Sequence, residues 1–350
     1  MRAALPLRIA YVIDPRFSGG TSAAVAAELR AASRVGQVRV HAARAALFAR
    51  QPAAPQIEAA LAGLDLPLIQ DAAMIAADVV LLHNPLFLKQ NATLTARITA
   101  RHLIVVAHEN FLRPGGAEAF DAAHCLRLID RATLALRKSL APISAHSRAM
   151  LAAWLAANPQ PGWDVLAEDW FNICDFSLAP PNPRPTDRRG RHSRPGFEKF
   201  PGLAEMEMCF PPHARSNVIL GADAFLEDGL PHPHWQMLRY RSLAVAEYLQ
   251  RLDFMVYFTS PLWRESFGRV IAEAIAAGKV VITDPQTAVP FGRGAIGAQP
   301  AEVDQIIARL IEAPARYRGH VRAGQARLQE WSAYRFARMF ARAALPGTGA

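Results

Sequence analysis

The stretch from 254 to 283, "FMVYFTSPLWRESFGRVIAEAIAAGKVVIT", leaves few folds open to this chain. Apolar runs at 254–260 and 279–283 read as buried strands. Between them Val270, Ile271, Ala274, Ile275 and Ala277 recur at helical spacing. The order is strand, loop, helix, strand. Two glutamates, Glu265 and Glu273, stand in this unit with seven residues between them. Glu265 falls in the loop, and Glu273 is expected about two turns into the helix. If the segment between were helical, roughly 12 Å would separate the two carboxylates. The backbone N–H groups near Phe267 and Gly268 open the helix and would suit an anion.

The same alternation runs along the whole chain. Strands are expected at 8–14, 38–42, 65–69, 78–83, 102–107 and 140–144, with helices at 21–34, 119–138 and 145–157. A second series has strands at 217–221, 237–241, 254–260 and 279–283. Such alternation implies parallel sheets covered by helices on both faces. The proline-rich segment 177–196 has no apolar periodicity and reads as an interdomain linker and a loop. The expected organisation is therefore two Rossmann-like α/β domains, 1–178 and 179–325, followed by a helical segment and tail at 326–350. In that last segment Leu328, Trp331, Phe336 and Phe340 are the candidate anchors.

The 254–283 segment resembles the C-terminal domain of retaining nucleotide-sugar glycosyltransferases of the GT-B type. The proline-containing loop, Ser266-Phe267-Gly268, the helix and the Gly-Lys-Val-Val-Ile exit carry the resemblance along with Glu265 and Glu273. It implies a GT-B fold, with the C-terminal helix crossing back to the N-terminal domain. It also implies that Glu265 contacts the donor sugar, that Glu273 binds the ribose hydroxyls, and that Ser266, Phe267 and Gly268 lie at the diphosphate. The expected donor is a nucleotide sugar and the expected acceptor a glycan or lipid-linked molecule bound by the N-terminal domain across the cleft. Cell-surface polysaccharide synthesis is the expected setting.

Further residues follow from the same resemblance. Gly19 and Gly20, in "DPRFSGGTSAAV", are similar to the glycine-rich first loop that lines the cleft. Two glycines between a strand and a helix also allow close backbone approach to a phosphate. Arg191 and Lys199 match the two cations that hold the diphosphate; the insert His-Ser-Arg-Pro between them departs from the family pattern, and its Arg194 is expected as an extra phosphate ligand. Arginine's fork suits two phosphate oxygens and lysine acts as a point charge. Lys199 stands out because only Lys89, Lys138, Lys199 and Lys279 are lysines. His108 ends an apolar run and would face the cleft at the carboxyl end of a parallel strand. His83, which ends another such run, is its rival. Ser144 or Ser147 reads as a helix cap, and Arg148 is similar to a position on the acceptor side.

Composition narrows the alternatives. The 350 residues are 51% apolar, enough for a sizeable core, and carry a net charge of +9. Most of that charge is arginine, with no aromatic-interleaved basic stripe, so phosphates or an anionic membrane surface are favoured over nucleic acid. Three widely spaced cysteines have no zinc or redox spacing and read as reduced thiols in a cytoplasmic protein. The N-terminal residues run almost directly into a strand, with no separate signal-peptide core. The longest stretch free of Asp, Glu, Lys and Arg, 149–163, contains Pro159 and Pro161, so membrane contact would be peripheral. No Asp-x-Asp appears, so a metal-independent transferase without a cofactor is expected. A sugar-nucleotide epimerase or hydrolase of GT-B type is the enzymatic alternative, and a catalytically silent nucleotide-sugar-binding protein is the other.

Overall fold

The computed structural model describes residues 6–17, 19–229 and 232–344, with Asp228 described by its backbone alone. The tail at 345–350 and the first five residues lie outside them, as does that part of the N-terminal reading. The chain divides into two compact units. One comprises Met1–Ile173 and Ser332–Ala350, the other Cys174–Trp331.

The first unit is built from β1 (Arg8–Ile13), α1 (Gly20–Ala32), β2 (Gln37–Ala42), α2 (Pro55–Gly63), β3 (Leu68–Ile69), β4 (Met74–His83), β5 (Arg97–Ala107), α3 (Ala122–Ala132), β6 (Thr133–Pro142), α4 (Ala145–Ala157) and β7 (Asp164–Val165). The described strands form one parallel sheet in the order β3-β2-β1-β4-β5-β6-β7. The order reverses between β1 and β4, and ligands of open parallel sheets sit outside the strand carboxyl ends at such a point. Val79 to Leu82 and Leu103 to Val106 are fully buried, as strands covered on both faces must be.

The second unit follows with β8 (Arg188–His192), α5 (Leu203–Cys209), β9 (Ser216–Leu220), α6 (Asp223–Asp228), β10 (Gln236–Leu238), α7 (Val245–Gln250), β11 (Phe254–Tyr257), α8 (Arg269–Ala276), β12 (Val280–Thr283), α9 (Pro285–Ala288), β13 (Ala295–Gly297), α10 (Val303–Glu312) and α11 (Pro314–Leu328). Its sheet runs β10-β9-β8-β11-β12-β13, again parallel, with the reversal between β8 and β11. The last helix, α12 (Ala333–Ala344), belongs to the first unit. There Phe336 and Phe340 are fully buried and meet the Trp170 ring edge-on at 5.3 and 5.7 Å. Arg342 holds Glu168 through both of its carboxylate oxygens.

Several expected elements change. The helix expected at 119–138 stops at Ala132, and Thr133–Pro142 is a strand paired with β5 along its length. Asp121 caps the start of α3 by accepting from His124 N, while Thr133 already has extended backbone. Ser144 does cap α4, accepting from Ser147 N at 3.1 Å. The continuous C-terminal helix is broken at Gln329–Trp331, which separates α11 from α12. Strand 65–69 shrinks to two residues.

The largest correction concerns 177–196, expected to be linker and loop. It contains β8, one of the two central strands of the second sheet. Three of its five residues are arginines, so no apolar run marks it. Arg189 is 1% exposed and holds Asp187 at 2.7 and 2.9 Å, Asp304 at 2.6 Å and the Cys209 carbonyl at 3.0 Å. Arg188 forks onto the buried Asp253 at 2.8 and 3.0 Å. Asp253 also accepts from Asn182 and Thr186, which straps the linker to the sheet. Burial would raise the Asp253 pKa, but these donors more than offset it and hold the carboxyl below its ordinary value.

Two predictions follow from the packing. A Cβ at Gly190 would lie 2.5 Å from the Tyr248 hydroxyl, 2.6 Å from Leu252 and 2.7 Å from the Val218 carbonyl. Gly190→Ala is expected to destabilise the protein by roughly 1–3 kcal/mol, as overpacked cores do. Denaturant unfolding checks this, and an unchanged midpoint would show that the sheet opens freely there.

Acid should also weaken the fold. Burial pushes the His102 and His192 pKa values down to about 4. The folded protein therefore keeps both neutral while the unfolded chain protonates them near 6.5. Their stability contribution is present above pH 6.5 and is lost as pH falls toward 4, by on the order of 3 kcal/mol each. Urea unfolding at stepped pH reads this, and His102→Gln should flatten part of the slope. Constant stability down to pH 4.5 would contradict it.

Candidate active site

The second unit gathers charged residues at the carboxyl ends of β8 and β11. After β8 the chain passes Ser193 and Arg194 and makes a short turn at Phe197–Lys199. After β11 it runs through Trp263 to Glu265 and enters α8 at Gly268. Lys199, 6% exposed, donates from Nζ to Glu265 Oε1 at 2.7 Å. Its Nζ also lies 4.4 Å from the centre of the Trp263 ring, a cation–π contact. The Tyr257 hydroxyl donates to the same Oε1 at 2.8 Å. Oε2 of Glu265 carries no hydrogen bond among the described residues.

Burial by itself would push the Glu265 pKa up. The charge of Lys199, its hydrogen bond, the Tyr257 hydroxyl and the charge of Arg194 outweigh that, and the carboxyl is held below its usual value. Glu265 is therefore an anion with one oxygen clamped and the other open.

Glu273 is the fifth residue of α8, about one turn in rather than two, because the helix begins only at Arg269. Its Oε1 accepts from Arg269 Nε at 2.9 Å, and Oε2 lies 4.0 Å from His192 Nε2. Burial raises the Glu273 pKa, and Arg269 offsets this only in part. Gly268 caps α8 with φ 87° and ψ 46°, left-handed backbone that disfavours a side chain. It offers no side-chain cap; Ile271 N donates to the Gly268 carbonyl at 3.0 Å, and the N–H groups of Arg269 and Val270 keep their need for an acceptor. Phe267 is turned inward, its ring 5.0 Å from that of Trp331.

Arg191 does not face a ligand. It is 1% exposed, with Nη1 donating to the Phe258 carbonyl at 2.8 Å and Nη2 to the Lys199 carbonyl. Its guanidinium stacks 4.0 Å from the Phe200 ring centre, and burial lowers its pKa to about 10. The fork expected to clamp a phosphate instead ties together the loops that carry Lys199 and Glu265. Arg194 is different: it is half-buried, its charge acts on Glu265 and Tyr257, and it makes no hydrogen bond among the described residues.

In the first unit Gly19 caps α1 with φ 93°, and Gly20 is its first residue. His108 follows β5 and His83 ends β4, so the two rivals are neighbours, with His108 Nε2 2.9 Å from His83 Nδ1. Glu28 of α1 lies behind them, 3.3 Å from His83 Nε2. Asn84 has left-handed backbone, and both polar atoms of its buried side chain lack a partner. It lines a small cavity with Asp14, Thr21, Ser22 and His83. A larger groove of about 710 Å³ opens where β1, β2 and β3 end, lined in part by Arg16, Arg44, Gln70, Gln90, Thr93 and Thr95. Arg148 is committed to Asp169 and the Leu166 carbonyl.

The sequence reading passed over Glu28, Tyr257, Trp263 and Asn84. Tyr257 reads as one more strand residue and Glu28 as a helix residue, and neither carries a local signal of what it touches. Cys125, Cys174 and Cys209 are buried and in no disulfide, each thiol pushed up to about 12 by burial. No group of three or more His, Cys, Asp or Glu that could hold a metal ion occurs among the described residues. No helix among them is long and apolar enough to cross a membrane.

No family model matches the chain, and no curated protein matches it. Solved structures do. The Anabaena protein Alr3699/HepE, in complex with UDP and glucose, is 17% identical over 96% of this chain and 98% of its own, with a TM-score of 0.61. Sucrose-phosphate synthase from Thermosynechococcus elongatus is 15% identical over 95% of this chain and 96% of its own, at a TM-score of 0.60. An alpha-glucosyltransferase in complex with UDP-glucose and DNA containing an abasic site is 12% identical over 93% and 95%, at 0.55. At such identities the likeness speaks to architecture, and with the two parallel sheets it establishes that the chain has the GT-B fold.

Proposed function

We propose that this protein is a retaining glycosyltransferase that moves a sugar from a nucleotide-sugar donor to a hydroxyl of a glycan or lipid-linked acceptor. One observation carries the reading: Glu265 is a half-buried anion at the switch point of the second sheet, clamped through Oε1 and open at Oε2. A carboxylate so placed can orient sugar hydroxyls in one geometry. The GT-B fold and the solved likeness to HepE, in one structure bound to UDP-glucose, support a nucleotide sugar as the donor.

In this reading Arg194, the remaining donors of Lys199 and the N–H groups at the start of α8 neutralise the departing diphosphate. Ser266 and Gly268 bring the backbone to it, and Glu273 takes the ribose hydroxyls. The Gly19–Gly20 turn and His108 serve the first unit's side of the reaction. The groove lined by Gln70, Gln90, Thr93 and Thr95 suits an acceptor rich in hydroxyls. The acceptor oxygen bonds to the anomeric carbon as the bond to the phosphate oxygen breaks on the same face. The acceptor's proton passes to the leaving phosphate. Cationic side chains and helix N–H groups replace the divalent metal, so none is required.

Glu265→Gln should leave donor affinity within a few-fold while lowering kcat by roughly a hundredfold, as for other groups that act on developing charge. Glu273→Ala should weaken donor binding without unfolding the protein. Calorimetry and initial rates separate the two, and unchanged donor affinity in Glu273→Ala would remove it from the ribose.

The stereochemistry gives a second test. NMR of the first-formed product, recorded with chelator present, should show the anomeric configuration of the donor. An inverted product, or activity lost to chelator and restored by metal, would place the protein in another mechanistic class.

A further inference from the structure

Parallel sheets are normally covered on both faces, and the amino-terminal halves of three strands in the first unit are not. Exposure there alternates. In β4, Met74 and Ala76 are exposed while Ile75 and Ala77 are buried. In β5, Arg97, Thr99 and Arg101 are exposed while Ile98, Ala100 and His102 are buried. In β6, Leu134 and Leu136 are exposed between half-buried Thr133, Ala135 and Arg137. The parallel register sets the exposed residues in rows on one face: Met74 beside Arg97, then Ala76, Thr99 and Leu134, then Asp78, Arg101 and Leu136. The described residues leave this face open.

Two chemistries meet on it. Met74 is 68% exposed, Leu134 75% and Leu136 86%. A single exposed leucine is ordinary, but three long apolar side chains on one open sheet face form a patch suited to meeting another surface. Arginines stand among and around them. Arg97 and Arg101 lie in the face itself. Nη1 of Arg97 donates to the Arg131 carbonyl at 2.7 Å, which sets the exposed Arg131 at the rim, and exposed Arg127 stands one turn earlier in α3. None of these four forms an ion pair among the described residues. Asp78, the acid of these rows, is already held by Arg8 at 3.2 Å.

That combination selects among occupants. A second copy of the chain would set these cations against their own kind. Nucleic acid would take the arginines but leave the leucines without an apolar partner. A bilayer with anionic headgroups satisfies both: phosphates take the guanidinium groups, and the boundary below them takes the apolar side chains.

We propose that the open face of β4, β5 and β6 docks on an anionic lipid surface, with Leu134 and Leu136 entering the headgroup–acyl boundary and Arg97, Arg101 and Arg131 binding lipid phosphates. This goes beyond the transferase reading and does not depend on it.

The test is sedimentation with vesicles of phosphatidylcholine alone or mixed with phosphatidylglycerol. The protein should bind the anionic vesicles only, and more weakly as salt rises. Arg97→Gln/Arg101→Gln should lower affinity roughly twentyfold, at about fivefold for each arginine near such a surface. Leu134→Ser/Leu136→Ser should lower it roughly tenfold or more. Arg316→Gln/Arg322→Gln removes the same charge from exposed positions on α11 and should leave affinity within about twofold. The three native thiols are buried, so Leu136→Cys takes an environment-sensitive dye selectively. Its emission should shift to the blue on anionic vesicles and not on phosphatidylcholine, a readout that stands even if a double variant fails to fold. No binding to anionic vesicles, equal binding to both kinds, an unshifted dye on bound protein, or an equal loss from the α11 pair overturns the proposal. So does a wild-type dimer that Leu134→Ser/Leu136→Ser splits, or tighter binding to duplex DNA than to vesicles, since either gives the face another occupant.

Discussion

Three arginines in a five-residue strand would ordinarily exclude that strand from the centre of a sheet, since each buried charge costs several kcal/mol unless it is paired. β8 sits there nonetheless, between β9 and β11. Arg189 is neutralised by Asp187 and Asp304, and Arg188 by Asp253. Arg191 lies against aromatic rings and donates to two carbonyls. Gly190 lets Tyr248 and Leu252 close over the strand. The second sheet depends on these pairs, and so does its carboxyl edge. The Arg191 guanidinium joins the carbonyls of Phe258 and Lys199, and so links the two loops that deliver Glu265 and its cation.

Two glutamates of one motif end up with opposite electrostatics. Glu265 and Glu273 are both largely buried, and burial by itself raises both pKa values. Lys199, Tyr257 and Arg194 reverse the effect at Glu265, whereas Arg269 only moderates it at Glu273. Glu265 is thus a fixed anion suited to orienting a charged reaction centre. Glu273, less strongly held as an anion, suits neutral hydroxyls. Tyr257 matters here because its raised pKa keeps it a donor, so the clamp on Oε1 does not weaken in the neutral range.

The first unit shows the same economy with a different outcome. Trp170 donates to Glu28 on one side and packs on Phe336 and Phe340 of α12 on the other. The C-terminal helix therefore supports the wall of the cluster that ends at His108. Damage to that aromatic packing would reach the histidines without touching them, through the placement of one carboxylate.

Apolar periodicity determined most elements, because strand and helix spacing depends on near neighbours alone. The 254–283 unit, the strands ending at His83 and near His108, and the buried anchors Leu328, Trp331, Phe336 and Phe340 were legible on that ground. So was the pairing of two α/β units. β8 was not legible, because its charges hide its burial and its partners lie as far away as Asp304. The end of α3 was hidden because 119–138 keeps a helical pattern while β5 offers Thr133–Pro142 a ladder to join. Tertiary structure alone decided which cations remain open: Arg191 is consumed by carbonyls and Arg194 is left half-exposed, a distinction between two arginines three positions apart that composition cannot draw. It also decided that Glu28 stands behind His83 and His108. A charge finds its partner through packing between segments distant in the chain, and no local pattern records that choice.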